Sequence, residues 1–63
     1  MTPEEIRRLR IGVELRFVTM SAGQPLSMLV EYRGPSPDPG YARIRSLDGG
    51  PQSLVPVERL VLP

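Results

Sequence analysis

Turn-forming residues divide this chain into short segments. Gly12 ends the first segment, and the stretches 21–25, 34–40 and 48–51 are rich in glycine, proline, serine and aspartate. Such clusters interrupt helices and strands, because proline lacks an amide donor and glycine adopts dihedral angles that other residues avoid. The runs between them are too short for the crossover of about a dozen residues that a parallel sheet requires. We therefore expect antiparallel, β-rich structure.

Residues 2–11 differ from the rest because they show a helical pattern. Thr2 suits the N-cap position, and Glu5 completes a capping box with it. Ile6 and Leu9 lie on one side of such a helix and form its buried stripe. A helix of this length is not stable alone, so we expect it to dock on the rest of the chain.

After Gly12 the apolar residues recur with a period of two. This alternation predicts strands over 13–18, 26–33, 41–47 and 52–57. A 3₁₀ turn is expected at 56–60 and a last short strand at 61–62. The expected inward-facing residues are Val13, Leu15, Phe17, Met28, Val30, Tyr32, Ala42, Ile44 and Ser46. Five short strands joined by turns predict a small antiparallel barrel, a single domain over 1–63 with a helical extension at 1–11.

The composition excludes several kinds of chemistry and of stabilisation. The 63 residues contain no cysteine and no histidine, so disulfides, a structural zinc site and nucleophilic triads are excluded. The acidic residues show no metal-binding spacing, and no glycine-rich phosphate loop is present. We therefore predict no catalytic residue, no metal and no cofactor. The acidic N-terminus and the lack of a long apolar run predict a cytoplasmic protein with no membrane partner.

The charged residues suggest a strand register. Pairing Arg16 with Glu31 also pairs Glu14 with Arg33, and the next hairpin would place Glu31 opposite Arg43. Opposite charges across strands are favourable. A row of Arg16, Glu31 and Arg43 would give a largely self-neutralised outer face. Net charge is only +1, far from that of a dedicated nucleic-acid binder.

Two surfaces remain as candidates for binding. Tyr32 and Tyr41, with Arg33, Arg43 and Arg45, could stack on single-stranded nucleic acid, which is an alternative function. The other candidate is apolar: Leu47, Leu54 and Val61 or Leu62 exceed what one small core can hold. A chain this small gains little net stability from its own core, so an outward apolar patch favours self-association or a protein partner.

The C-terminal half resembles the SH3-like barrel superfold. The resemblance lies in the short strands, the proline-rich loop, and the run Val55-Pro56-Val57 followed by Leu60. It implies an all-β, five-stranded SH3-like barrel with a short N-terminal helix. This superfold serves many functions, so the resemblance bears mainly on the fold.

A more specific likeness is to the plasmid-borne type II dihydrofolate reductases, which are small SH3-like homotetramers with one central pore. The matching residues are Gly12, Tyr32, Gly40, Tyr41, Ala42, Gly50, Pro56, Val57 and Leu60. The pore signature Val-Gln-Ile-Tyr of that family is replaced by residues 52–55, Gln-Ser-Leu-Val, and the family's lysine has no counterpart. The resemblance implies an NADPH-dependent oxidoreductase as an alternative function, with NADPH as cofactor in that case only.

These observations together predict a non-catalytic SH3-like binding or assembly module. Its partner is expected to be a protein, another copy of the chain included. We expect the functional surface around the hairpin at 48–50. Its predicted residues are Tyr41, Arg43, Arg45, Gln52, Ser53 and Leu54.

Overall fold

The computed structural model describes residues 1–63 as five strands, one short α-helix and one 3₁₀ helix. The prediction of an all-β chain with a short N-terminal helix is confirmed. The elements are α1 (Pro3–Arg7), β1 (Glu14–Ser21), β2 (Gln24–Pro35), β3 (Tyr41–Ser46), β4 (Ser53–Pro56), the 3₁₀ helix (Val57–Arg59) and β5 (Leu60–Val61).

All strands pair in antiparallel fashion in one sheet, in the order β4-β3-β2-β1-β5. The chain leaves β4 at one edge, passes through the 3₁₀ helix and pairs β5 with β1 at the other edge. No ladder joins β4 to β5, so the sheet stays open between them. The five strands expected from the sequence are therefore present without closure of the hydrogen-bonded ring.

One face of the sheet carries the core, and we call it the inner face. Because side chains alternate along a strand, the buried Leu15, Val30, Tyr32 and Ile44 share this face. Met28, also expected to face inward, is half exposed. The complete set of buried apolar residues is Ile6, Leu15, Val30, Tyr32, Ala42, Ile44, Val55, Val57 and Leu60.

Helix α1 begins as the sequence predicts and ends earlier. The Thr2 amide donates to the Glu5 carboxylate (2.9 Å), and the Glu5 amide donates to the Thr2 hydroxyl (3.2 Å), which completes the capping box. The helix ends at Arg7, whereas we predicted helix to residue 11. Turns follow because Gly12, at φ +102°, donates its amide to the Tyr32 carbonyl (2.7 Å). The chain must turn to make this contact.

The predicted register of the first hairpin is wrong. Arg16 lies opposite Leu29, and Glu14 lies opposite Glu31. The cause is the tight two-residue turn at Ala22 and Gly23, with φ of +52° and +79°. A turn with both central residues in the left-handed region closes a hairpin directly, and its position sets every pair along the ladder. The sequence had suggested a longer turn over 21–25.

The second hairpin also departs from the prediction. Glu31 lies opposite Arg45 and not Arg43, and a one-residue bulge between Tyr32 and Gly34 separates this part of the ladder from the pairs Gly34–Arg43 and Pro35–Ala42. The whole of 34–40 was expected to lie outside the sheet, yet Gly34 and Pro35 extend β2. Proline is tolerated there because β1 no longer pairs with this part of β2, so its missing amide breaks no ladder bond.

Candidate functional site

Four of the six predicted site residues share the outer face of the β3–β4 hairpin. Tyr41, Arg43 and Arg45 alternate along β3 with the buried Ala42 and Ile44. Leu54 lies opposite Arg43 and is 58% exposed. This part of the predicted surface is formed as one patch.

The other two predicted residues lie apart from that patch. Ser53 pairs with Ile44, which places it on the inner face of the sheet. Gln52 precedes β4 and is exposed. The six residues are thus divided among the outer face, the inner face and the segment before β4.

The arginines of the outer face are only partly neutralised. Arg45 Nη2 and Arg33 Nη1 both donate to Glu31 Oε1, at 3.0 and 3.2 Å. The predicted row of Arg16, Glu31 and Arg43 is not formed, because the register differs by two residues in each hairpin. Arg16 and Arg43 form no ion pair.

Cavities lie at both ends of the sheet. At one end helix α1 lies beside Pro35 and Tyr41 around a cavity of about 260 Å³, and Ile6 of this helix joins the core. The far end holds a cavity of about 240 Å³, which we call the open cavity. Its inner-face lining is Phe17, Met28, Val30, Ile44, Ser46, Ser53 and Val55. The core is therefore accessible from this end.

Beside the open cavity, the β1–β2 hairpin extends beyond its neighbours. β5 pairs with β1 only at Arg16 and Phe17, and β3 pairs with β2 only from Val30 onward. Residues 17–28, which we call the distal hairpin, therefore lack a third strand along most of both edges. Unpaired edges present free amide and carbonyl groups to solvent.

The distal hairpin carries apolar side chains on both faces. Phe17 pairs with Met28, and Thr19 with Leu26, on the inner face. Met20 lies on the outer face and is 59% exposed, while Leu26 and Met28 are 53% and 50% exposed. The inner side chains line a shallow apolar cleft of about 240 Å³ next to the open cavity.

Sequence reasoning assigned Phe17 and Met28 to the core and gave no role to Met20 or Leu26. One signal could have identified them: no charged residue occurs from Phe17 to Val30, although 24% of the chain is charged. The four residues of the predicted outward patch are exposed, but Leu54 on β4 and Val61 on β5 lie on strands at opposite edges of the sheet. Their exposures are 48% for Leu47, 58% for Leu54, 40% for Val61 and 63% for Leu62. The distal hairpin is a further apolar surface.

Comparison with protein-family models, with curated proteins and with solved structures gives no match to this chain. Helix α1 is neither long nor apolar enough to cross a membrane. The function therefore has to be inferred from the geometry of the chain itself.

Proposed function

We propose that this chain is a non-catalytic assembly module that binds protein through the distal hairpin. The observation that carries the proposal is a charge-free hairpin with unpaired edges and exposed apolar side chains on both faces. Soluble proteins usually protect such edges with charge, proline or a covering element. Here Pro25 is the one such device, and it removes a donor from only one edge.

The exposed side chains give this surface a driving force. Full burial of a leucine or methionine side chain stabilises by about 1.5–3 kcal/mol. Leu26 and Met28 are about half exposed, so covering each would contribute about 1 kcal/mol. Met20 and Leu29 would add to this on the outer face. Apolar contact of this kind needs no catalytic group and no cofactor.

A photo-cross-linking side chain introduced at Leu26 tests the proposal in the cells that produce the protein. Leu54 is the matched control, because it is the same residue type, is similarly exposed (58% against 53%) and belongs to the surface predicted from the sequence. We expect protein adducts from position 26 and few from position 54. Adducts from position 54 alone would move the binding surface to the β3–β4 hairpin and contradict the proposal.

A second candidate function, binding of single-stranded nucleic acid, is favoured by the arginines without ion pairs. Arg16 and Arg43 lie on the outer face, and Tyr41 on that face is 43% exposed, whereas Tyr32, which was also expected to stack on bases, is buried in the core. Affinity for an oligonucleotide should then fall steeply with salt. The double variant Arg16→Ala with Arg43→Ala should reduce both the affinity and the salt slope, and binding without a salt slope would remove this candidate.

The reductase alternative stays a prediction from the resemblance. It requires the Ser53 side chain and the backbone groups of Leu54 to line a shared pore in a tetramer, and the two residues are neighbours on β4. NADPH-dependent reduction of dihydrofolate that is lost on Ser53→Trp would support it.

A further inference from the structure

We infer that the inner face of the distal hairpin binds the same face of a second copy of this chain, related by a two-fold axis. The inference rests on the proposed function and names its partner. The contact residues are Phe17, Thr19, Leu26 and Met28, which lie on one face by their pairing in the ladder.

The distribution of charge favours a second copy over a different protein. A side chain that lies on a two-fold axis meets its own counterpart, so like charges repel there and a contact of two identical hairpins is most favourable when the residues at the axis are uncharged. The inner face of the distal hairpin meets this condition, since residues 17–30 contain no charge. A different partner could supply opposite charges and would place no such restriction on the sequence.

The outer face of the same hairpin meets this condition less well than the inner face does. Arg16 lies next to it, opposite Leu29, and Glu31 follows with its two arginine partners. Two copies that met by their outer faces would bring these charged groups towards their own counterparts. The inner face borders the uncharged core residues Val30, Ile44 and Val55, and Arg45 alone brings a charge to the cavity rim.

The shape of the inner face also suits a second copy. Half-exposed Leu26 and Met28 extend from the sheet beside the open cavity. A two-fold arrangement places these side chains of each copy over the cavity of the other, so that each molecule closes the open end of its partner's core. Sheets that pack face to face in this way lie about 10 Å apart.

The available area indicates a weak dimer. The distal hairpin comprises about a fifth of the chain, whose surface is 4351 Å². With the cavity rim, its inner face offers about 500 Å² per copy, at the lower limit for specific interfaces. We therefore expect a micromolar dissociation constant and a monomer–dimer equilibrium that can be measured at ordinary concentrations.

Sedimentation velocity of the full chain from about 1 to 100 µM tests the inference. Two matched variants place the same substitution on the two faces of one hairpin: Met28→Arg on the inner face and Met20→Arg on the outer face, where the wild-type side chains are 50% and 59% exposed. We expect the wild type to dimerise, and we expect the dissociation constant of the Met20→Arg dimer to lie within about threefold of the wild-type value. Met28→Arg should weaken the dimer at least about a hundredfold, because two guanidinium groups then meet at the axis.

An equal loss of dimer affinity in Met28→Arg and Met20→Arg would overturn the inner-face assignment. A wild type that is monomeric at about 100 µM would overturn the inference itself. Leu26→Arg, whose side chain lies further from the core, repeats the test if Met28→Arg unfolds by circular dichroism. If the wild type is monomeric but position 26 still cross-links to a different protein, the inference fails and the proposed function stands. If neither contact is found, both fail.

Discussion

The register of the central strands can be tested by measuring which arginine is energetically coupled to Glu31. In the structure Glu31 accepts a hydrogen bond from Arg45 at 3.0 Å, whereas the register expected from charge pairing would place Arg43 opposite Glu31. A double-mutant cycle with Glu31→Gln and Arg45→Met isolates this pair, because methionine keeps the apolar stem of the arginine. Glu31→Gln also relieves the unfavourable proximity of Glu14 to Glu31. This effect is the same with and without Arg45→Met, so it cancels in the cycle.

The expected coupling follows from the exposure of the pair. The side chains of Arg45 and Glu31 are 38% and 25% exposed, so the pair lies between a solvated ion pair and a buried one. Exposed pairs couple by about 0.2–1 kcal/mol, and we expect the upper part of this range, about 0.5–1 kcal/mol. The matched cycle with Arg43→Met should give coupling close to zero.

Urea unfolding of the single and double variants measures both couplings. All measurements use one protein concentration, because self-association would otherwise change the apparent stability. A coupling of Glu31 to Arg43 that equals or exceeds its coupling to Arg45 would refute the observed register.

Three further predictions concern stability. Ala22→Gly should raise the free energy of unfolding by about 0.5–1 kcal/mol in urea titrations, because Ala22 at φ +52° occupies the left-handed region that glycine tolerates; destabilisation would contradict a left-handed turn. Burial raises the pKa of the Tyr32 phenol above its ordinary value of 10.0, so its contribution to stability is complete below that pH and is lost as the pH rises through the folded-state pKa. The thermal midpoint should therefore fall less steeply with pH above about pH 10 in Tyr32→Phe than in the wild type. Equal slopes in the two proteins would show that ionisation of Tyr32 does not cause the loss of stability at high pH. The Thr2 amide, which donates to the Glu5 carboxylate, holds the pKa of that carboxyl below 4.5, so the capping box should stabilise above this pH and lose its effect as the pH falls through the lowered pKa. Glu5→Gln should weaken that acid dependence, and an unchanged melting profile between about pH 5 and pH 3 would show that the hydrogen bond from the Thr2 amide to the ionised Glu5 carboxylate contributes nothing to stability.

The sequence was sufficient to predict which segments form strands. Alternation places Leu15, Val30 and Ile44 on one face, and the structure buries all three. The capping box at Thr2 was equally visible, because it depends on residues only three apart. Local patterns of this kind are set by neighbours in the chain and can be read from it.

Register was not predictable in the same way, because it depends on the conformation of one turn. Alanine rarely adopts positive φ, so nothing in the sequence marked Ala22 as the first residue of a two-residue turn. Once the turn forms there, it places Glu14 opposite Glu31, a pairing that charge alone disfavours. Glu31 is instead stabilised by Arg33, two residues along the same strand, and by Arg45 on the neighbouring strand β3.

The candidate site was predicted only in part for a related reason. Tyr41, Arg43 and Leu54 were expected to share a surface, and they do so on the outer face. The distal hairpin was missed because alternation shows which residues share a face but not how far the neighbouring strands extend to cover it. Leu26 and Met28 are exposed because β3 ends opposite Val30.

The most direct test of the account uses two oppositely charged variants of one inner-face residue. Met28→Glu and Met28→Arg should each be monomeric alone, because the two copies of this residue meet at the two-fold axis and would bring like charges together. Native mass spectrometry of their equimolar mixture should then show a heterodimer that contains one chain of each. If the mixture remains monomeric while the wild type dimerises, the distal hairpin does not meet its own copy and the account is wrong.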